Sequence, residues 1–276
     1  MSVLLKYVSS TGHEYNLKTD GIKTKKANYH TWSWGVEGTT LQLGTRVAGF
    51  KRDSLTYTTR LIFTGTYWQN KELVEALHED FEVDVRMKSP GRIIWGDYYI
   101  DCFITSSSTE PSENNFYPVN DIEIYCPHPF WIKEEKRSFY GAVAPSGQTY
   151  LDYPYDYDYD YNFGSPGNSV WEVDFPFSAE FKMTIFGPVS NPRITVNSYP
   201  YQINDTLDSD EYVTIDSRNN TVMKTLGTGV AVSIFDLRDK QYSVFEPMPG
   251  GSMTFNWSGA FGFDLTLFEE RSEPRY

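Results

Sequence analysis

Turn signals cut the last 108 residues of the chain into segments too short for anything but strands. Gly187-Pro188, Asn191-Pro192, Asn219-Asn220, Gly227-Thr228-Gly229 and Pro249-Gly250-Gly251 punctuate it at short intervals. Between them lie runs rich in Val, Ile, Thr, Phe and Tyr, near 170–174, 180–186, 193–197, 200–203, 211–216, 220–225, 230–236, 241–245, 252–257 and 262–269. Many short strands with regular turns predict a β-sandwich. Aromatics at 17% of the 276 residues suit pleated, half-buried surfaces and argue against disorder. No period of 20–50 residues repeats, which disfavours a solenoid or propeller.

The first half keeps the β pattern with one interruption. Strands are expected at 2–9 and 13–17 around Ser10-Thr11-Gly12, and again within 53–66. In Asn70–Phe81, Leu73, Leu77 and Phe81 recur at i, i+4 and i+8, a helical stripe. The spacing predicts one helix over 70–81, with Asn70 as N-cap. Further strands follow near 82–88, 92–95, 97–104 and 119–126. Pro127 and Pro129 then forbid a central strand and set an extended exit. Residues 141–168, which hold the repeat Tyr153-Pro154-Tyr155-Asp156-Tyr157-Asp158-Tyr159-Asp160-Tyr161, read as a junction between domains 1–140 and 169–276. The fold class is therefore mostly β, in two domains.

The net charge of −13 is unevenly spread: residues 1–60 carry +5, 61–140 carry −7 and 141–276 carry −11. An acidic body argues against binding nucleic acid by phosphate neutralisation. The basic start either meets an acidic neighbour or is a solvated face. Cys102 and Cys126 are too few for a disulfide framework and read as buried thiols. The start Met1-Ser2-Val3-Leu4-Leu5-Lys6 lacks the apolar run of a signal peptide, and no window suits a membrane span. Synthesis in a cytoplasm is expected, which makes the sequons at Asn204, Asn219 and Asn256 chance matches.

Chemistry is sparse. The four histidines, His13, His30, His78 and His128, show no metal-ligand spacing, and neither a nucleophile elbow nor a phosphate loop is present. Asp156-x-Asp158-x-Asp160 has acidic spacing, but an EF-hand would need Gly and Glu where Tyr161 and Gly167 stand. No catalytic residue, metal ligand or cofactor is expected, and nothing singles out a glycosidase carboxylate pair. Trp171, Tyr199, Tyr201 and Trp257 are candidate glycan- or partner-binding aromatics; filling the core or a subunit contact is the favoured alternative.

Several segments together resemble the distal tail (Dit) proteins of long-tailed phages. Cys126-Pro127-His128-Pro129-Phe130-Trp131 is similar to the exit of that family's first domain, with His128 in place of Asp. The aromatic tract at 153–163, Phe186 to Ile194 with its Asn191-Pro192 turn, and Glu211-Tyr212-Val213-Thr214-Ile215-Asp216 resemble successive second-domain motifs. The ending Phe263 to Pro274 is the most specific match. The first 60 residues match no motif. The resemblance implies a non-enzymatic hub at the tail tip, part of the virion and assembled in the host cytoplasm. Its first domain, a β-sandwich with one helix and a β-hairpin, would form a homo-hexameric ring. That ring would join the tail tube protein to the tail-associated fibre or lysin protein. Its second domain, a galectin-like or carbohydrate-module-like sandwich, would carry receptor-binding proteins. A stand-alone carbohydrate-binding protein is the alternative, and a glycan-cleaving enzyme a further one.

Overall fold

The computed structural model describes residues 5–19, 21–25, 28–110, 119–141 and 167–275. The Tyr/Asp/Pro tract, with Asp156, Asp158 and Asp160, lies outside the described residues. The protein is mostly β, and the chain divides into two units. The first comprises Met1–Lys133 and Glu270–Tyr276, and the second Glu134–Glu269.

The first unit runs β1 (Leu5–Val8), β2 (Glu14–Asn16), β3 (Ile22–Lys25), β4 (Gly35–Thr40), β5 (Thr45–Lys51) and β6 (Leu55–Phe63). Then come α1 (Tyr67–Met87), β7 (Gly91–Trp95), β8 (Tyr98–Glu110), β9 (Val119–Cys126) and the start of β10 (Trp131–Phe139). Two antiparallel sheets share β8: one is ordered β2-β1-β7-β8-β10, the other β3-β6-β9-β8. β8 pairs with β7 up to Cys102 and with β9 from Phe103, and a bulge between Ile104 and Ser106 marks the change. Alternation supplies the core: Leu5, Tyr7, Ile93 and Ile100 from one sheet meet Ile22, Leu61, Phe63, Ile122 and Ile124 from the other. Leu77 and Phe81 of α1 join that core.

The helix is longer than 70–81 at both ends. Thr66, not Asn70, is its N-cap, and the Thr66 N–H and hydroxyl donate to Gln69 Oε1 at 3.0 and 2.9 Å. Asn70 sits in the first turn, where its side chain accepts from the Gly65 N–H and donates to the Gly65 carbonyl. The strand expected at 82–88 is the last turns of α1, ended by Lys88 in the left-handed region (φ 55°). Glu82, Asp84 and Arg86 alternate with Val83, Val85 and Met87, which imitates a strand. In the helix, however, Asp84 is buried while Val85 and Met87 are exposed.

The second unit begins with β11 (Asn168–Glu172), β12 (Glu180–Phe186), β13 (Val189–Ser190), β14 (Arg193–Val196), β15 (Tyr199–Gln202) and β16 (Thr206–Leu207). It continues with β17 (Tyr212–Asp216), β18 (Thr221–Thr225), β19 (Ala231–Ser233), β20 (Ser252–Trp257) and β21 (Phe263–Arg271). One sheet is ordered β19-β18-β17-β12-β21-β10 and a second β11-β20-β14-β15, with β13 and β16 paired apart. Phe181, Met183, Ile185, Val213, Ile215 and Leu265 of the first sheet pack with Ile194, Val196, Tyr201, Met253 and Phe255 of the second. That is a sandwich. The strand expected at 241–245 does not form. This segment instead follows the edge of β15, where the hydroxyls of Tyr199 and Tyr201 donate to the carbonyls of Ser243 and Glu246. Val244 is buried there, so its apolar pattern serves the core without a ladder.

Candidate assembly surface

β4 and β5 form a two-stranded sheet that pairs with no other described strand. Thr-rich strands and a four-residue loop, Leu41-Gln42-Leu43-Gly44, make the hairpin. Leu41 N–H donates to the Gly44 carbonyl at 2.9 Å, and Gly44 takes φ 91°, which only glycine adopts freely. Gly38 lies against the Arg46 carbonyl, so a Cβ there would collide with backbone.

The hairpin is exposed almost throughout, yet it is not polar. Val36 faces Phe50 across the ladder, and both are exposed, as are Val47, Leu41 and Leu43, the last at 94%. Trp32 and Trp34 extend the apolar surface into the preceding segment. An isolated hairpin is marginal in water, and an apolar patch that buries itself in nothing marks an interaction surface. The family resemblance implies a hairpin in the first domain, but the reading of residues did not place one here, although the Gly44 turn between two Thr-containing runs was the signal for it.

Elsewhere in the unit, two carboxylates on one face of α1 tie down the β1–β2 turn. Asp84 accepts from the Tyr7 hydroxyl and, at 2.9 Å, from Ser10 N–H. Asp80 accepts from the Tyr15 hydroxyl at 2.6 Å and lies 3.1 Å from His13 Nδ1. Burial, then the bond to Asp84, pushes the Tyr7 hydroxyl far above its ordinary range, and burial and Asp80 do the same to Tyr15. A groove of about 430 Å³ runs between α1 and β8, lined by residues that include His78, Phe81, Val85 and Ile104.

Each histidine has a polar neighbour, Asp80 in the case of His13. His78 Nε2 lies 3.1 Å from Ser107 Oγ but accepts from Asn120 Nδ2 at 2.7 Å, so its lone pair is not free to take the serine proton. His128 pairs with Glu270 and His30 faces Glu273. Among the described residues no three His, Cys, Asp or Glu side chains gather as a metal site, and no helix is long and apolar enough to cross a membrane. Both cysteines are buried; burial pushes Cys126 up to about 12 and Cys102 well above its ordinary value.

The four aromatics singled out in the second unit fall into two groups. Trp171 and Trp257 gather around Phe139, with ring centroids 6.3 and 5.9 Å from it. Tyr199 and Tyr201 lie 5.3 Å apart, and Tyr201 packs on Phe181. Trp171 and Tyr201 are buried, while Tyr199 and Trp257 are half-buried against the core.

No protein-family model matches the chain, and no curated protein matches it. Solved structures do. The SPP1 Dit protein (gp 19.1), described as a paradigm of the hub adsorption apparatus in phages infecting Gram-positive bacteria, superposes with a TM-score of 0.64 at 8% identity, over 97% of this chain and 99% of that one. A chain of the phage P2 baseplate in its activated conformation with calcium gives 0.67 at 13% identity, over 99% and 100%. The strontium form of that baseplate gives 0.66 at 13% identity with the same coverage. The fold is thus shared along nearly the whole chain.

Proposed function

We propose that this chain, whose fold is that of phage distal tail and baseplate hub proteins, is itself a structural hub of a phage tail tip. In this reading six copies close into a ring through the first unit. The ring joins the tail tube to the tail-associated fibre or lysin protein, and the protein resides in the virion after assembly in the host cytoplasm. The second unit, read as a galectin-like sandwich, carries receptor-binding proteins. The observation that carries the reading is the exposed apolar hairpin Gly35–Lys51, standing in a chain that shares the hub fold end to end. A closed ring needs two unlike faces on each copy, and a projecting element supplies one of them.

Light scattering on the purified full chain tests this. A species of six times 31.8 kDa is expected, with a ring visible by negative-stain microscopy. Leu43→Asp with Phe50→Asp should reduce it to the single-chain mass at an unchanged melting temperature, because neither side chain belongs to the core. A six-fold mass that survives both changes would overturn the assignment of the hairpin. A stand-alone carbohydrate-binding protein would instead run as a monomer and bind glycans, and Trp171 and Tyr201 offer little open ring face for that.

A further inference from the structure

The hairpin has no ladder to any other described strand, so its direction must be set by other contacts. Its two strands leave the body next to Trp34, one residue before β4, and Arg52, one residue after β5. The Arg52 guanidinium lies 4.7 Å from the ring centroid of Phe130 and 5.7 Å from that of Trp34. The two rings meet edge to face at 5.9 Å. Arg52 Nη2 also donates to the Ser272 carbonyl at 3.2 Å. Phe130 is in turn backed by His128, whose ring centroid is 5.1 Å away and whose Nε2 meets Glu270 Oε1 at 2.7 Å.

We infer that Arg52 is a positioning residue: a guanidinium held against Trp34 and Phe130 clamps the root of the hairpin and fixes the angle at which it projects. The inference rests on the hub reading only for the purpose it assigns to that angle. Two features separate the clamp from an ordinary surface arginine. First, among the described residues no carboxylate pairs with the guanidinium, and Nη1 is buried without a hydrogen-bond partner. The site is therefore built for a flat cation between rings rather than for donor matching. Second, burial lowers the pKa of Arg52 from its ordinary value, so the charge is held out of water at some cost that the two rings and one carbonyl offset. Three separate stretches of the first unit, at 34–52, 128–130 and 270–272, converge on this one group. An element that must reach a defined place on a neighbouring copy loses affinity when it samples many directions, because the ordering entropy is then spent on binding.

Spin labels at Leu43→Cys on the hairpin tip and Glu79→Cys on α1 measure the projection angle in the full chain. The native thiols, buried and hard to ionise, stay unlabelled. Labelled chain diluted into excess unlabelled chain reports only distances within one copy. Wild-type Arg52 should give a single narrow distance distribution. Arg52→Lys, which keeps the charge but not the plane, and Phe130→Leu, which keeps apolar bulk but not the ring, should each broaden it at least two-fold. Arg52→Ala should do the same, and the two milder variants keep the test decisive should it unfold. Distributions as narrow as wild type in Arg52→Lys and Phe130→Leu would overturn the clamp, whatever the mass of the assembly. Broad distributions with the six-fold mass retained would uphold the clamp and sink the ring role of the hairpin.

Discussion

Asp84 shows how far a single side chain can mislead a reading of the sequence. On periodicity it marks a solvated position in a strand; in the structure it is fully buried and takes bonds from Tyr7 and Ser10. Nothing local in the sequence announces a buried carboxylate, because its partners lie 77 and 74 residues away. Gly91 belongs to the same arrangement: a Cβ there would stand 2.5 Å from the Asp84 carboxylate and 2.8 Å from the Tyr7 ring. The tyrosines make this chemistry measurable. Tyr7, Tyr15, Tyr29, Tyr57 and Tyr201 are all raised above their ordinary value of 10.0 mainly by burial, Tyr57 to about 12. Above pH 10 the unfolded chain loses those phenol protons while the folded chain keeps them. Stability is therefore full below pH 10 and falls as pH rises beyond it. Thermal melts between pH 8 and 11 should show the decline. Tyr7→Phe should flatten it by about 1.4 kcal/mol per pH unit, one titrating group's share.

At the scale of elements, most strands of the second unit were legible because turn dipeptides bound them; β12 and β20 fall where the punctuation places them. The segment 241–245 was not, since its Tyr242, Val244 and Phe245 look the same in sequence whether a ladder or a neighbouring tyrosine hydroxyl holds them. The helix was legible from Leu77 and Phe81, while its cap was obscured by Asn70, which bonds backwards to Gly65. The docking of α1 onto the β1–β2 turn leads to a quantitative expectation. Asp84→Ala leaves the Tyr7 hydroxyl and the Ser10 N–H unpaired, at a cost of about 2–4 kcal/mol. Urea titration of the full chain should show that loss, with a smaller one for Asp84→Asn, which keeps an acceptor. The hairpin was invisible to periodicity because no core demands alternation of it.

For the whole molecule, the division into units is not the division of the sequence into halves. The chain leaves the first unit after Lys133 and rejoins it at Glu270, and β10 and β21 each contribute residues to both. The motif that most resembles the distal tail family, Phe263 to Pro274, is the one that makes this return. Ending the chain after Glu269 would remove the carbonyl that Arg52 donates to and the carboxylate that His128 meets. Such a truncation should retain the second unit's melting transition, lower that of the first, and loosen the hairpin in the spin-label measurement; an unchanged first transition would contradict it.

The same return has a consequence in time. Arg52 and Ser272 are 220 residues apart, and at about 5–20 residues per second the ribosome takes at least ten seconds to get from one to the other. Through most of that interval the nascent chain has its hairpin and the Trp34 and Phe130 rings, while the carbonyl that Arg52 donates to does not yet exist. The last contact at the root of the hairpin therefore forms only after the second unit has been synthesised.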